Sequence, residues 1–206
     1  MPGATMLDVS QPPLIRVIDT ETTGIDEKAR LVEIGSYDVR QYGGGEWAIE
    51  NPISTLVNPG VPIPPNASAV HHITDRDVAD APTLDRALLM MHDPKVTHYA
   101  AHNAAFDRRF FTGGQLPWIC TLKAAYKAFP KSPAHNNQTI RYLIDLDASP
   151  DFAWGLSMPS HRALPDAYVT AHILRFLLDN GVSLEAMIQT TIDPALLPRL
   201  AFGKHA

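Results

Sequence analysis

The chain has 206 residues, 45% hydrophobic and 19% charged, which suits one globular domain with a full core. Its net charge of −5 argues against a strongly basic nucleic-acid-binding protein, although bound cations can supply positive charge locally. The single cysteine, Cys120, excludes an intramolecular disulfide framework. No run approaches the ~18 apolar residues of a membrane span, and the N-terminus lacks a secretory signal, so we expect a cytoplasmic protein with no membrane partner.

Three strands are predicted in the first half of the chain. They span residues 14–19, 31–39 and 47–57, where apolar and β-branched residues cluster. The links between them are short, so the strands should form an antiparallel meander. The Pro-rich segment 58–70 should be an extended connection that ends in a short helix over 66–71, and a further helix is predicted over 83–91.

Strands and helices alternate in the second half. Strands are predicted over 96–101 and 118–121, and helices over 104–111, 121–129, 136–145, 164–180 and 183–190. This order predicts an α/β fold with a five-stranded mixed sheet, three antiparallel strands and then parallel additions, flanked by helices. Residues 13–180 should form one domain, with 1–12 as a flexible leader and 181–206 as a short C-terminal extension.

The first predicted strand ends in two acids. Asp19 and Glu21 are two residues apart, so both carboxylates should leave the same face of the strand. Two such charges repel unless a cation lies between them or one of them is protonated. Taken alone, the pair also fits a solvated strand end or a helix cap.

A third acid follows the strand predicted over 96–101. Asp107 lies about one turn into the next helix, and His102 and Asn103 occupy the strand–helix junction, where side chains commonly reach ligands. A fourth acid, Asp166, directly follows a proline in the first turn of the helix predicted over 164–180. With His161 on the loop before that helix, both side chains can reach one point. Each feature also has a simpler interpretation. Asp107 could form surface ion pairs, His102 and Asn103 could cap the helix, and Asp166 could only stabilise the helix dipole.

The four acids together indicate a metal site. Carboxylates at the ends of three secondary-structure elements are typical ligands of hard cations such as Mg²⁺ or Mn²⁺. A zinc site would instead require Cys and His ligands at close spacing. Four acids with one loop histidine are also the groups that two-metal phosphoryl chemistry uses.

The same segments resemble the motifs of a known family. "IDTETTG", "HNAAFDRRF" and "HRALPDA" are similar, in this order, to the three motifs of the DnaQ-like 3′→5′ exonucleases of the DEDDh class, and "VHHIT" resembles a further segment near their substrate cleft. The resemblance runs from about residue 14 to residue 180 and implies a ribonuclease H-like fold. It implies metal-dependent release of nucleoside 5′-monophosphates from DNA 3′ ends, single-stranded or duplex.

The resemblance also implies a role for each catalytic residue. Two Mg²⁺ (or Mn²⁺) ions would be bridged by Asp19. Glu21 would bind the ion that carries the attacking water, and Asp107 and Asp166 would complete the coordination. His161 would be the general base, a task that suits an imidazole because it ordinarily titrates near neutral pH.

Substrate contacts are expected around the first two motifs. Backbone amides near Thr22 and Gly24 should meet the 3′ terminus, where a glycine allows close approach, and Ile25 should wedge against the terminal base. The resemblance further implies contacts by His71 and Asn103, although loop residues of this kind can also serve only the turn. The full set of expected contacts is Thr20, Thr22, Gly24, Ile25, His71, His102 and Asn103.

Two other functions remain open at this point. One is an RNA 3′ exonuclease of the ribonuclease T or oligoribonuclease kind, since no residue of the sequence is a decisive reader of the 2′-hydroxyl. The other is a subunit that binds nucleic acid or a polymerase on the same fold, either without catalysis or as a proofreading exonuclease.

Overall fold

The computed structural model describes residues 12–190, and its centre is a five-stranded mixed sheet. The strands are β1 (Leu14–Thr22), β2 (Leu31–Gln41), β3 (Trp47–Leu56), β4 (His98–Ala101) and β5 (Trp118–Cys120), in the order β3-β2-β1-β4-β5. β1 pairs antiparallel with β2 and parallel with β4, and β5 continues in parallel beyond β4. The predicted fold class, a meander followed by parallel additions, is confirmed.

Eight α-helices surround the sheet within these residues. They are α1 (Pro65–His71), α2 (Asp75–Val78), α3 (Leu84–Met90), α4 (Ala104–Asp107), α5 (Thr121–Ala128), α6 (Asn137–Leu143), α7 (Ala163–Asp179) and α8 (Leu184–Gln189). The helix predicted over 104–111 is therefore shorter, and it ends as regular α-helix at Asp107. Helix α2 was not predicted, although Thr74 and Asp77 form a capping box at its start, a pattern visible in the sequence.

Two hydrophobic cores lie on opposite faces of the sheet. Alternation along β1 places Ile15 and Val17 in the first core, with α5, α6 and α7, and Leu14 and Ile18 in the second, with α3. The region 181–190 contributes to the first core, because Val182 and Met187 are buried there. The predicted leader 1–12 and the part of the predicted extension beyond 190 lie outside the described residues, apart from residue 12.

The tightest helix–sheet contact joins α7 to β2. A Cβ atom built on Gly35 would lie 2.5 Å from the carbonyl carbon of Ala163, so only glycine allows this approach. The contact holds the first turn of α7 beside the end of β1 that bears the acids, because Gly35 pairs with Asp19 across the sheet. Over residues 12–190, no helix combines the length and the apolar character that crossing a bilayer requires.

Candidate active site

Three carboxylates converge at the end of β1. Ligand oxygens of Asp19, Glu21 and Asp166 all lie within 4.8 Å of one another, and all three residues are half-buried. Alternation along the strand turns the first two to one face, as predicted, and the first turn of α7 adds the third. Oxygen ligands at this spacing fit a hard divalent cation.

Asp107 stands next to this trio and is almost fully buried. The hydroxyl of Thr20 donates a hydrogen bond of 2.8 Å to its Oδ1. Its charge also helps to raise the pKa of Asp19, so the two groups interact electrostatically. Asp107 is thus a buried member of the acidic site, not the exposed surface acid of the simpler interpretation.

The protein places these acids where ionisation is costly. Burial first, and then the charges of Asp166, Asp107 and Glu21, raise the pKa of Asp19 well above its usual value. Burial and the neighbouring acids raise the pKa of Glu21 to about 8, and burial raises that of Asp107 to about 7. Burial likewise raises the pKa of Asp166. A bound cation would relieve this cost, so the electrostatics of the cluster fit a metal.

His161 lies on the loop before α7 with its side chain exposed. Its backbone is left-handed, with φ of 60°, and its N–H donates a hydrogen bond of 2.8 Å to Oδ2 of Asp166. The loop therefore places His161 outside α7 with its backbone against the Asp166 carboxylate, while the prediction that both side chains reach one point stays a prediction. Within the described structure the imidazole makes no hydrogen bond to protein, so it is available to substrate or water.

Glu33 and Arg162 anchor this loop, and sequence reasoning missed both. Buried Glu33 accepts two hydrogen bonds from the Arg162 guanidinium, at 2.7 and 2.9 Å, and a third at 2.9 Å from the backbone N–H of Ala163. The last bond satisfies one of the free N–H groups at the start of α7. The available signal was a glutamate inside the otherwise apolar start of β2, "LVEIG".

The loop after β1 has an open side. Nothing lies within 4 Å of the position a Cβ would take on Gly24, and Ile25 is 85% exposed. The hydroxyl of Thr22 donates to the carbonyl of Gly24 at 2.6 Å, which shapes the turn. A ligand could therefore approach this backbone closely, with Ile25 projecting beside it.

Arg109 fixes the same loop from the other motif. Its guanidinium donates to the carbonyl of Ile25 at 2.9 Å and to that of Asp26, and it packs over the rings of Phe106 and Phe110. The sequence predicted only that Arg109 faces outward. Its two acceptors could not be predicted, because both are backbone carbonyls more than eighty residues away in the chain.

The ring nitrogens of His71 and His102, two of the expected substrate contacts, bond to other groups of the protein in this structure. His71 is 2% exposed; its Nδ1 accepts from the Ile73 N–H, and its Nε2 donates to the Thr22 carbonyl at 3.3 Å. Nε2 of His102 donates to the carbonyl of His135 at 2.7 Å, and its Nδ1 contacts the Thr121 hydroxyl at 2.9 Å. Burial lowers the pKa of His102 to about 4, so both rings are neutral with both nitrogens engaged.

Thr20 and Asn103 are two further expected contacts, and their side chains lie in different environments. The Thr20 side chain is buried and turned towards Asp107, which makes it an orienting residue for that acid. Asn103 is exposed at the start of α4, with φ of 74° and no capping hydrogen bond from its side chain. Of these two expected contacts, Asn103 has the exposed side chain.

A mixed sheet with acids at the C-terminal end of β1, next to a loop histidine, has the architecture of the ribonuclease H-like nucleases.

Comparison with known proteins shows which family within this class the chain resembles. The exonuclease family model (RNase T) matches residues 17–174. Exodeoxyribonuclease 10 of Escherichia coli K12 is 35% identical over 194 residues, covering 93% of this chain and 81% of that protein. The DNA polymerase III epsilon subunit of Aquifex aeolicus is 30% identical over 174 residues, covering 79% of each chain.

Solved structures agree with this family. Exonuclease X in complex with 5′ overhanging duplex DNA superposes with a TM-score of 0.71 at 35% identity, over 86% of this chain and 99% of that one. Escherichia coli exonuclease I bound to a dT13 oligonucleotide shares the fold at a TM-score of 0.59 and 15% identity, over 80% of this chain and 41% of that one. The chain belongs to the exonuclease family, and it is a 3′→5′ exonuclease, a hydrolase of phosphodiester bonds.

Proposed function

We propose that the protein removes nucleoside 5′-monophosphates from the 3′ ends of DNA, using divalent cations and His161 as general base. The convergence of Asp19, Glu21 and Asp166 within 4.8 Å, in an environment that disfavours their ionisation, is the observation on which this proposal depends. Clusters of acids with strongly raised pKa values are concentrated at functional sites, and bound cations would stabilise their ionised form.

The acids have distinct positions for this task. The charges of Asp166, Asp107 and Glu21 all act on Asp19, so Asp19 would help to hold the divalent ions. Glu21 and Asp166 flank it, while Asp107 is held by Thr20 on the buried side. Two Mg²⁺ or Mn²⁺ ions held there would acidify the attacking water and neutralise charge on the scissile phosphate.

His161 would take the proton from the attacking water. Its imidazole is exposed and engaged by no other side chain of the described region, while its backbone N–H ties the loop to Asp166. An exposed imidazole on a loop bonded to Asp166 supports this role for His161. A positioned general base typically contributes ~10²–10⁴-fold to the rate.

The 3′ end would lie on the loop after β1. The open backbone at Gly24 allows a terminal hydroxyl to approach the amides, and exposed Ile25 is placed to pack against the last base. DNA is favoured over RNA because the relative at 35% identity is named an exodeoxyribonuclease, and exonuclease X, the structure at 35% identity, was solved with duplex DNA; the two names describe one enzyme.

Matched DNA and RNA oligonucleotides labelled at the 5′ end test this proposal. With Mg²⁺, the wild type should shorten DNA from the 3′ end in single-nucleotide steps and act more slowly on RNA. Asp19→Ala should abolish the activity while leaving the fold intact, and Asp85→Ala, an exposed acid at the start of α3, should not change it. Faster digestion of RNA would contradict the substrate assignment, and full activity of Asp19→Ala would contradict the site.

A further inference from the structure

Basic side chains are concentrated in one segment of this acidic chain. Residues 108–144 contain six Lys or Arg and no Asp or Glu, whereas the whole chain has a net charge of −5. Three of the chain's six lysines, Lys123, Lys127 and Lys131, lie in this segment. All three are exposed, and no residue in the range 12–190 forms a salt bridge with them.

Helix α5 displays two of these lysines on its outer face. Lys123 and Lys127 are four residues apart and therefore project from the same side of the helix, while the alanines opposite are buried in the first core. Tyr126 lies between them and is 56% exposed. Its ring stacks on His135 with the ring centroids 4.1 Å apart, which holds the aromatic surface in a fixed orientation.

The α5 face begins at the same edge of the sheet as the catalytic acids. β5 runs parallel to β4 and β1, and α5 starts directly after β5. His102, at the end of β4, bonds both to Thr121 in the first turn of α5 and to the carbonyl of His135. With neighbouring strands ~4.8 Å apart, β5 lies roughly 10 Å from β1.

We infer that the outer face of α5, formed by Lys123, Tyr126 and Lys127, binds the phosphodiester backbone of the DNA substrate several nucleotides from the scissile bond. The inference rests on the proposed function and adds a second contact region to it. Phosphates are the partner that matches unpaired lysines beside an exposed ring. Because the face lies away from the acids, it contributes to binding and not to bond cleavage.

Two double variants with equal charge change test this inference. Lys123→Gln/Lys127→Gln alters the α5 face, and Arg86→Gln/Lys95→Gln removes two exposed charges on α3 and on the turn before β4, away from the first core. Binding of a 5′-labelled single-stranded 12-mer is measured by fluorescence anisotropy in EDTA, which prevents cleavage, from 50 to 200 mM salt. KM and kcat with Mg²⁺ are measured for the 12-mer and for a trinucleotide.

The α5 variant should lose salt dependence as well as affinity. The slope of log binding constant against log salt concentration should be smaller in magnitude by about 1.4 for a single strand, because two phosphate contacts are lost. Between 50 and 200 mM salt, the affinity of the wild type should therefore fall about sevenfold more than that of the variant. KM for the 12-mer should rise with kcat unchanged, and the trinucleotide should show no difference. A duplex 12-mer tests whether the same face also contacts double-stranded DNA, with a slope change of about 1.8.

Three results would overturn the inference. The first is a salt slope for the α5 variant equal to that of the wild type. The second is a loss of DNA affinity in the Arg86→Gln/Lys95→Gln control as large as that in the α5 variant. The third result comes from anisotropy with a labelled poly-glutamate peptide: if the α5 variant loses binding to this peptide while its DNA binding stays intact, the face is assigned to acidic proteins instead. Failure of the wild type to cleave or bind any DNA is a separate result, because it would contradict the proposed function itself.

Discussion

Replacing Asp19 by asparagine should make the metal-free protein more stable at alkaline pH. Burial first, and then the neighbouring acids, raise the pKa of Asp19 and of Glu21 in the folded state, so the folded protein binds more protons than the unfolded chain. Stability is then fully present below the unfolded carboxyl pKa near ~4 and is lost as pH rises through the folded values, which reach about 8 for Glu21. The variant removes the central charge, so it should lose less stability over this pH window.

The size of the effect follows from the geometry. Two unit charges 4.8 Å apart repel by about 3.5 kcal/mol at an effective dielectric constant of ~20. Half-burial and solvent screening reduce this, so we expect a gain of roughly 2–3 kcal/mol at pH 8.5. For a domain of this size that is about 5–10 °C in Tm, falling towards zero near pH 4.5.

Thermal unfolding in EDTA between pH 4.5 and 8.5 measures this difference. Asp85→Asn, which changes an exposed acid outside the cluster, should stay within about 0.5 kcal/mol of the wild type at every pH. Added Mg²⁺ should raise the Tm of the wild type more than that of Asp19→Asn, because an ion that binds only the folded state stabilises it. A Tm for Asp19→Asn that is equal to or below wild type at pH 8.5 in EDTA would refute the electrostatic reasoning.

Three other variants address the surroundings of the acids. His161→Ala should lower kcat ~10²–10⁴-fold with Tm and Mg²⁺ binding unchanged, and a wild-type rate would show that another group is the base. Arg109→Ala should raise KM for DNA about tenfold, because the Ile25 loop loses its anchor, whereas Arg108→Ala should have little effect; equal KM values for the two variants would contradict the anchor. Glu33→Gln should reduce kcat and Tm together, because it weakens the hold on Arg162 and the start of α7; an unchanged kcat would show that the loop is fixed by other contacts.

Local patterns were enough to predict much of the candidate active site. Period-two alternation placed Asp19 and Glu21 on one face of β1, and the proline before Asp166 correctly marked the first turn of α7. Both inferences use neighbours within a few residues, where backbone geometry depends little on the rest of the fold. Most helices and strands were predicted correctly for the same reason.

The contacts that support the centre could not be inferred in this way. Glu33 meets the start of α7 across about 130 positions, and Arg109 reaches its carbonyl partners across more than eighty. The surroundings of His71 and His102 were equally hidden from the sequence, where both residues occupy segments typical of ligand contacts. Their ring nitrogens are instead engaged by groups that tertiary packing brings near, including the carbonyls of Thr22 and His135.

The central claim is that Asp19, Glu21 and Asp166 together hold the divalent ion that phosphodiester hydrolysis needs. Digestion of a 5′-labelled DNA strand across a Mg²⁺ titration, with wild type and Asp166→Asn side by side, tests it most directly. The wild type should shorten the strand stepwise from its 3′ end with Mg²⁺ and not in EDTA, and the variant should be slower by about a hundredfold or more at every Mg²⁺ concentration. Equal rates for the two proteins, or digestion by the wild type in EDTA, would contradict the claim.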